Sequence, residues 1–173
     1  RWNAFVRAGA KLTPEAKARV AAINEELAGL FTQFNQNLLH DEDSYDLFLK
    51  EADLAGLPAD VRAAMAAAAT EKQRPGEYVV TNTRSSVDPF LTYSARRDLR
   101  EKVWRTYYNR GDNGDAYDNN AIIKRILKLR VERAKLLGFA THAHWRLKDN
   151  SMAETPQAAM DLMMRVWPAA IAR

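Results

Sequence analysis

The sequence predicts a mainly α-helical protein with one short antiparallel β ribbon. Apolar residues recur at steps of three and four over several long stretches, which is the spacing of one helix face. Two short stretches, about 45–49 and 78–82, are instead rich in β-favouring residues. The chain has 173 residues, 47% of them hydrophobic, and no cysteine. Disulfides, thiolate zinc sites and cysteine nucleophiles are therefore excluded.

The first half contains the longest predicted helix and both predicted strands. A helix is expected to begin at Thr13-Pro14, because Thr can cap the exposed backbone donors and Pro suits the first helical position. We expect the acidic run 41–43 to end it. An alanine-rich helix over about 59–72 separates the two strands, which we expect to pair with each other. The long helix carries an apolar stripe of Val20, Ile23, Leu27, Leu30, Phe31, Phe34 and Leu38.

The second half is predicted to be helical throughout. A helical stretch is expected to start at Asp88-Pro89, and a helix over 94–110 to end before Gly111. Asp118 or Asn119 caps the next helix, which Gly138 ends. A shorter helix begins near Thr141 and the last at Thr155-Pro156, where Pro168 predicts a kink or an early end. The apolar positions of these helices are Leu99, Val103, Trp104, Tyr107, Ile122, Ile123, Ile126, Leu127, Leu129, Ala134, Leu137, Met160, Met163, Met164 and Trp167.

The chemistry-bearing residues form no catalytic or metal-binding constellation, so we predict no catalytic and no metal-ligating residue here and leave substrate-binding residues unknown. The closest pair of histidines is His142 and His144, and two helical residues at that spacing point in nearly opposite directions. The acidic run 41–43 and the loop 112–118 lack the ligand spacing of a calcium loop. Glycine-rich phosphate loops and nucleophile turns are absent from the sequence.

Charge is divided unevenly along the chain. Residues 1–60 carry six Lys and Arg against ten Asp and Glu, and residues 61–173 carry twenty against twelve. A nucleic-acid surface is one interpretation of the basic part, and solvated helix faces are the other. Because Glu101 and Glu132 interrupt the basic faces, we predict no nucleic-acid partner. The longest apolar run, 63–69, is far shorter than the ~20 residues of a membrane span, so we predict no membrane partner either.

The two ends suggest a piece of a longer protein. The chain opens with Arg1-Trp2-Asn3 instead of an initiator Met, and its last residues, 169–173, have the composition of a helix interior. We therefore expect a single helical segment over 1–173. We also expect it to expose an apolar face at 160–167 through which it can self-associate.

Several stretches of the chain form an ordered set of motifs. The most distinctive stretch is Asn109-Arg110-Gly111-Asp112-Asn113-Gly114-Asp115-Ala116-Tyr117-Asp118-Asn119. The supporting pieces, in consistent order, lie at 9–12, 23–27, 36–39, 53–58, 90–101, 133–139, 142–143 and 152–156. Together these motifs resemble bacterial peptidyl-dipeptidases (dipeptidyl carboxypeptidases) of the thimet oligopeptidase–neurolysin family of zinc metallopeptidases.

This resemblance implies a helical wall of a deep, narrow channel that admits short peptides. In the family, zinc is held by a His-Glu-x-x-His motif and a downstream Glu, and the parent enzyme of this branch removes C-terminal dipeptides. None of those motif residues falls on this chain, so it is expected to be a non-catalytic N-terminal-half segment, inactive alone. The expected compartment is the bacterial cytoplasm or periplasm. A non-catalytic helical protein-interaction module is the alternative, followed by a nucleic-acid binder.

Overall fold

A computed structural model describes residues 2–148 and 152–172, and over these residues the chain is mostly α-helical with one small antiparallel ribbon, as predicted. A single turn of 3-10 helix, Glu51–Asp53, lies between the first strand and the third helix. The elements in chain order are α1 (Trp2–Arg7), α2 (Pro14–Ser44), β1 (Leu47–Leu49), α3 (Ala59–Glu71), β2 (Tyr78–Val80), α4 (Arg84–Tyr93), α5 (Arg97–Tyr108), α6 (Asn120–Leu136), α7 (His142–Leu147) and α8 (Pro156–Ile171).

The described residues divide into two compact units. One comprises residues 32–121, and the other comprises the described parts of 1–31 and 122–173. Helix α2 contributes residues to both units because their boundary falls between Phe31 and Thr32. The expectation of a single helical segment cut from a larger peptidase stays a prediction.

The unit of residues 32–121 has its core where α3, α4 and α5 meet the ribbon. Strand β1 pairs with β2 so that Leu47 faces Val80 and Leu49 faces Tyr78. Three residues per strand make a marginal sheet, which is stabilised by packing against helices. Its buried cluster consists of Leu49, Leu54, Leu57, Met65, Val80, Val87, Phe90 and Val103.

The unit of residues 1–31 and 122–173 is centred on the pairing of α2 with α6. Ile23 and Leu27 of α2 pack with Ile126 and Leu129 of α6, and Ile23 and Leu129 are fully buried. The apolar spacing predicted these four positions correctly. It also predicted Phe31, Ile123 and Leu127, which are 38%, 41% and 54% exposed. Trp104 of the other unit, also predicted on a core face, is 48% exposed.

The capping and stop signals operate where the sequence predicts them. Thr13, Thr141 and Thr155 each accept a hydrogen bond from the backbone N–H three residues later, which begins α2, α7 and α8. Gly111 and Gly138 follow α5 and α6 with φ of 70° and 84°. Residues other than glycine rarely adopt this left-handed conformation, which ends a helix.

Two predicted boundaries are wrong, each because a tertiary partner overrides a local signal. Helix α2 continues through the acidic run 41–43 to Ser44, since the backbone N–H of Gly111 in the same unit donates to the Asp41 carboxylate. Helix α4 begins at Arg84 and not at Asp88-Pro89, because burial of Val87 and Phe90 fixes its first turns. Helix α8 continues past Pro168 to Ile171, so of the two predicted outcomes, a kink or an early end, the early end does not occur.

Candidate functional site

The most organised group of polar side chains lies in the unit of residues 32–121, around Asp41. Asp41 is fully buried, and Asn37, Asn82 and Asn119 are each only 2% exposed. Buried polar side chains are retained when their hydrogen bonds are made within the protein. We refer to Asn37, Asp41, Asn82 and Asn119 with their partners Gly111 and Asn113 as the Asp41 clasp.

Asp41 binds the chain at three points. Its Oδ2 accepts a hydrogen bond from the backbone N–H of Gly111 at 2.7 Å and another from Nδ2 of Asn113 at 3.0 Å. Its backbone carbonyl accepts from Nδ2 of Asn82 at 3.1 Å. The helix dipole disfavours a carboxylate near a helix C-terminus. The two hydrogen bonds to Oδ2 explain why α2 tolerates Asp41 in its last turn.

A second pair of amides extends the clasp along α2. Asn37 donates from Nδ2 to Oδ1 of Asn119 at 2.9 Å, and Asn119 donates from its own Nδ2 to the carbonyl of Phe34 at 3.2 Å. Gln33 donates to Oδ1 of Asn37 at 2.8 Å. These bonds fix the end of the loop 111–119 at the point where α6 begins.

The carboxylates of the loop 111–119 are used to shape the loop itself. Asp118 accepts hydrogen bonds from the backbone N–H groups of Gly114 at 3.2 Å and Asn120 at 2.7 Å. Asp115 accepts from the N–H of Tyr117 at 2.8 Å. The ring of Tyr117 stacks on His40 with 3.4 Å between ring centroids. Hydrogen bonds within the loop therefore fix its conformation, and its carboxylate oxygens do not converge on a common centre.

The residues present do not fit a zinc site. Among residues 2–148 and 152–172, three or more His, Cys, Asp or Glu side chains do not come together in a group able to hold a metal ion. His144 bonds to the Thr141 hydroxyl at 2.8 Å, whereas the His142 ring lies 5.5 Å from that of Trp145. Burial, followed by the charges of nearby arginines, lowers the pKa of His142.

Many of the arginines in the basic half are paired with carboxylates. Arg96 bonds to Asp53 at 2.8 Å and to Asp98 at 2.7 Å, and the hydrogen bond to Arg96 is the largest cause that lowers the pKa of Asp98 to about 2. Arg105 pairs with Glu101 one helical turn earlier. Such pairing directs the guanidinium groups to the protein's own carboxylates, which favours the solvated-face interpretation.

An open cavity of about 250 Å³ lies beside the ribbon in the unit of residues 32–121. Leu47, Val80, Val87 and Val103 contribute its apolar lining. The one carboxylate in its lining, Asp46, is held by Lys72 at 2.6 Å. The cavity has an apolar lining, and among its described lining residues no nucleophile contacts a general base.

In contrast to the buried clasp, helix α8 leaves its apolar side chains accessible to solvent. All its described residues from Met160 onward are exposed, including Met163 at 54% and Trp167 at 57%. The predicted apolar exposure at 160–167 is therefore confirmed. Whether it leads to self-association stays a prediction.

Comparison with known proteins confirms the resemblance to the peptidase family. Residues 90–172 match the model of Peptidase family M3. Over 167 residues the chain is 38% identical to the dipeptidyl carboxypeptidases of Salmonella typhimurium and Escherichia coli, covering 96% of this chain and 24% of each relative. It is 36% identical over 164 residues to oligopeptidase A of Salmonella typhimurium, with 92% and 24% covered. The chain thus spans about a quarter of the length of these relatives.

Over the described residues, none of the helices is both long and apolar enough to span a bilayer.

The sequence did not predict the clasp, because a buried Asp41 has the same local pattern as an exposed one. The available signal was a cluster of Asn and Asp at 37–41, 82 and 111–119, which local rules assign to turns and caps.

Proposed function

We propose that this chain is a scaffold segment of a zinc metallopeptidase of the peptidyl-dipeptidase type. The parent enzyme would remove dipeptides from the C-termini of short peptides, and this segment would build part of the helical channel wall. The observation that carries the proposal is the 38% identity to dipeptidyl carboxypeptidases over 96% of the chain. The match to Peptidase family M3 over 90–172 supports it.

Zinc belongs to the parent enzyme in this proposal, with its ligands outside this chain. The residues that the structure describes lack a donor set for the metal, so no catalytic step is assigned to them. The segment's own contribution is rigidity: the clasp fixes the loop 111–119 to α2, and α6 continues from that loop. A channel wall needs such fixed connections because a shifted helix changes the passage for substrate.

A chimera tests the proposal directly. In Escherichia coli dipeptidyl carboxypeptidase, this chain replaces the matched quarter, and dipeptide release from a short peptide is measured beside the unaltered enzyme. We expect the chimera to release dipeptides in the presence of zinc. We also expect the 173-residue chain alone to be inactive and not to bind zinc at one equivalent. A folded but inactive chimera, or tight zinc binding by the chain alone, would contradict the proposal.

The second candidate is a non-catalytic helical interaction module, and the exposed α8 is the observation that favours it. This module would retain the clasp but act without a zinc-bearing partner segment. The reading frame downstream of Arg173 separates the two candidates: a His-Glu-x-x-His motif supports the peptidase and an early stop codon supports the module. The remaining alternative from the sequence, a nucleic-acid binder, predicts an affinity for nucleic acid that falls steeply as the salt concentration rises.

A further inference from the structure

The distribution of polar and apolar side chains around α8 restricts the shape of any partner that could cover it. Over residues 156–171 the polar side chains are Gln157, Asp161 and Arg165, which follow one another at intervals of four. That spacing places them in one narrow stripe and leaves roughly three quarters of the helix circumference apolar. In proteins, helices with this pattern are surrounded by other apolar elements on most sides.

The exposed apolar area of α8 is large enough for a stable interface. Its large apolar side chains, at exposures of 48% to 64%, leave roughly 700 Å² in water, against about 800 Å² that each partner buries in an interface of standard size. These side chains are Met160, Leu162, Met163, Met164, Val166, Trp167 and Ile171.

A second copy of the helix would not cover this area. Met160, Met163 and Trp167 lie on one face and could pair with the same face of a second α8. Leu162 and Val166 lie on another side, where a single partner helix does not reach. Two-helix pairing would therefore leave apolar side chains in water, and a groove formed by at least two elements would not.

The charges of α8 also restrict the partner. Asp161 and Arg165 balance each other, and Asp161 already accepts a hydrogen bond from Gln157 at 2.7 Å. Helices that lie on membrane surfaces instead carry a broad polar face rich in Lys and Arg. The partner surface is therefore an apolar protein groove.

We propose that α8 inserts into an apolar groove formed by the part of the same peptidase that lies outside this segment. This inference rests on the proposed function, since in the dipeptidyl carboxypeptidases the matched region is 24% of the polypeptide. The groove encloses Met160, Met163 and Trp167 together with Leu162 and Val166. The stripe of Gln157, Asp161 and Arg165 faces its opening.

The test compares apolar and polar positions of α8 in two contexts. Trp167→Ser and Met163→Ser, with Arg165→Ser as the matched control, are made in the chimera described above and in the 173-residue chain. In the chimera we expect the two apolar substitutions to lower the unfolding midpoint by several degrees and Arg165→Ser to leave it nearly unchanged. In the chain alone, we expect shifts below about one degree for all three, because these side chains are exposed.

Amide hydrogen exchange identifies the occupant. We expect α8 to exchange rapidly in the dilute chain alone and slowly in the chimera. Rapid exchange in the folded chimera would overturn the inference, as would protection in the chain alone that rises with concentration to the level of the chimera, because a second copy would then be the occupant. If the chimera does not fold, the same three substitutions are made in the Escherichia coli enzyme at the aligned positions. Dipeptide release separately reports the proposed function, so the two can fail independently.

Discussion

The Asp41 clasp and helix α8 invert the usual distribution of polar and apolar groups in opposite ways. The clasp buries a carboxylate completely, and its own unit supplies donors to Oδ2 and to the backbone carbonyl. Helix α8 exposes methionines and a tryptophan that no described residue covers. The first region takes its hydrogen-bond donors from this chain, although Oδ1 of Asp41 and Oδ1 of Asn82 are buried without a partner among the described residues. The apolar side chains of the second region lack comparable contacts with the described residues, which indicates where this segment depends on other protein surfaces.

The largest expected effect comes from removing the centre of the clasp. Asp41→Ala removes two hydrogen bonds to a charged group and leaves the buried N–H of Gly111 without its acceptor, so we expect a loss of about 3–5 kcal/mol in the free energy of unfolding. Urea unfolding measures it. The exposed Asp43→Ala is the matched control and should change stability by less than about 0.5 kcal/mol. Equal effects of the two substitutions would show that the clasp is not a stabilising centre.

A pair of truncations compares the buried core with α8 directly. Ile23→Ala removes a fully buried side chain between α2 and α6 and should cost about 2–5 kcal/mol. Met163→Ala removes a half-exposed one and should cost less than about 0.5 kcal/mol in the chain alone. Urea unfolding of both variants provides the measurement. A cost of several kcal/mol at Met163 would mean that α8 is already covered in solution.

Two glycines separate backbone strain from close packing in the loop. A Cβ at Gly111, where φ is 70°, would lie 2.6 Å from Nδ2 of Asn119, whereas Gly114 has a φ of 68° with open space around it. We expect Gly114→Ala to cost about 1 kcal/mol from conformation alone, and Gly111→Ala about 2–4 kcal/mol because contact with the clasp adds to it. Chemical denaturation measures the loss in the free energy of unfolding for both variants. Similar losses would show that contact with Asn119 adds no cost at Gly111.

The smallest expected effect concerns pH. Burial and the charges of Arg130, Arg133 and Arg146 lower the pKa of His142 from 6.5, so its protonation is less favourable in the folded protein than in the unfolded chain. Stability should therefore be complete above about pH 6.5 and fall as pH decreases toward the lower folded pKa.

His142→Gln should reduce this slope in thermal unfolding between pH 5 and 7.5. The exposed His144→Gln is the control and should keep the slope of the unaltered protein. An unchanged slope in His142→Gln would assign the pH dependence to other groups.

Local signals predicted most of the fold and little of the site. Thr155 and Gly138 act as cap and stop because these effects involve residues within one helical turn. The ribbon was also predicted correctly from two short stretches. The acidic run 41–43 was misinterpreted, because its meaning depends on donors seventy residues later in the chain. Asn82 was missed for the same reason, since its partner lies forty-one residues earlier.

The sequence by itself determined the helix periodicity, the capping residues, the lack of cysteine chemistry and the ordered motifs shared with the M3 peptidases. Only the tertiary structure decided that Asp41 is buried and that Leu127, which the apolar spacing placed on a core face, is exposed. The physical reason is that capping and periodicity involve neighbours in the chain, whereas the free energy of a buried carboxylate or an apolar helix depends on the surfaces that surround it. For Asp41 those surfaces are present in this chain. Among the described residues, α8 has no such cover.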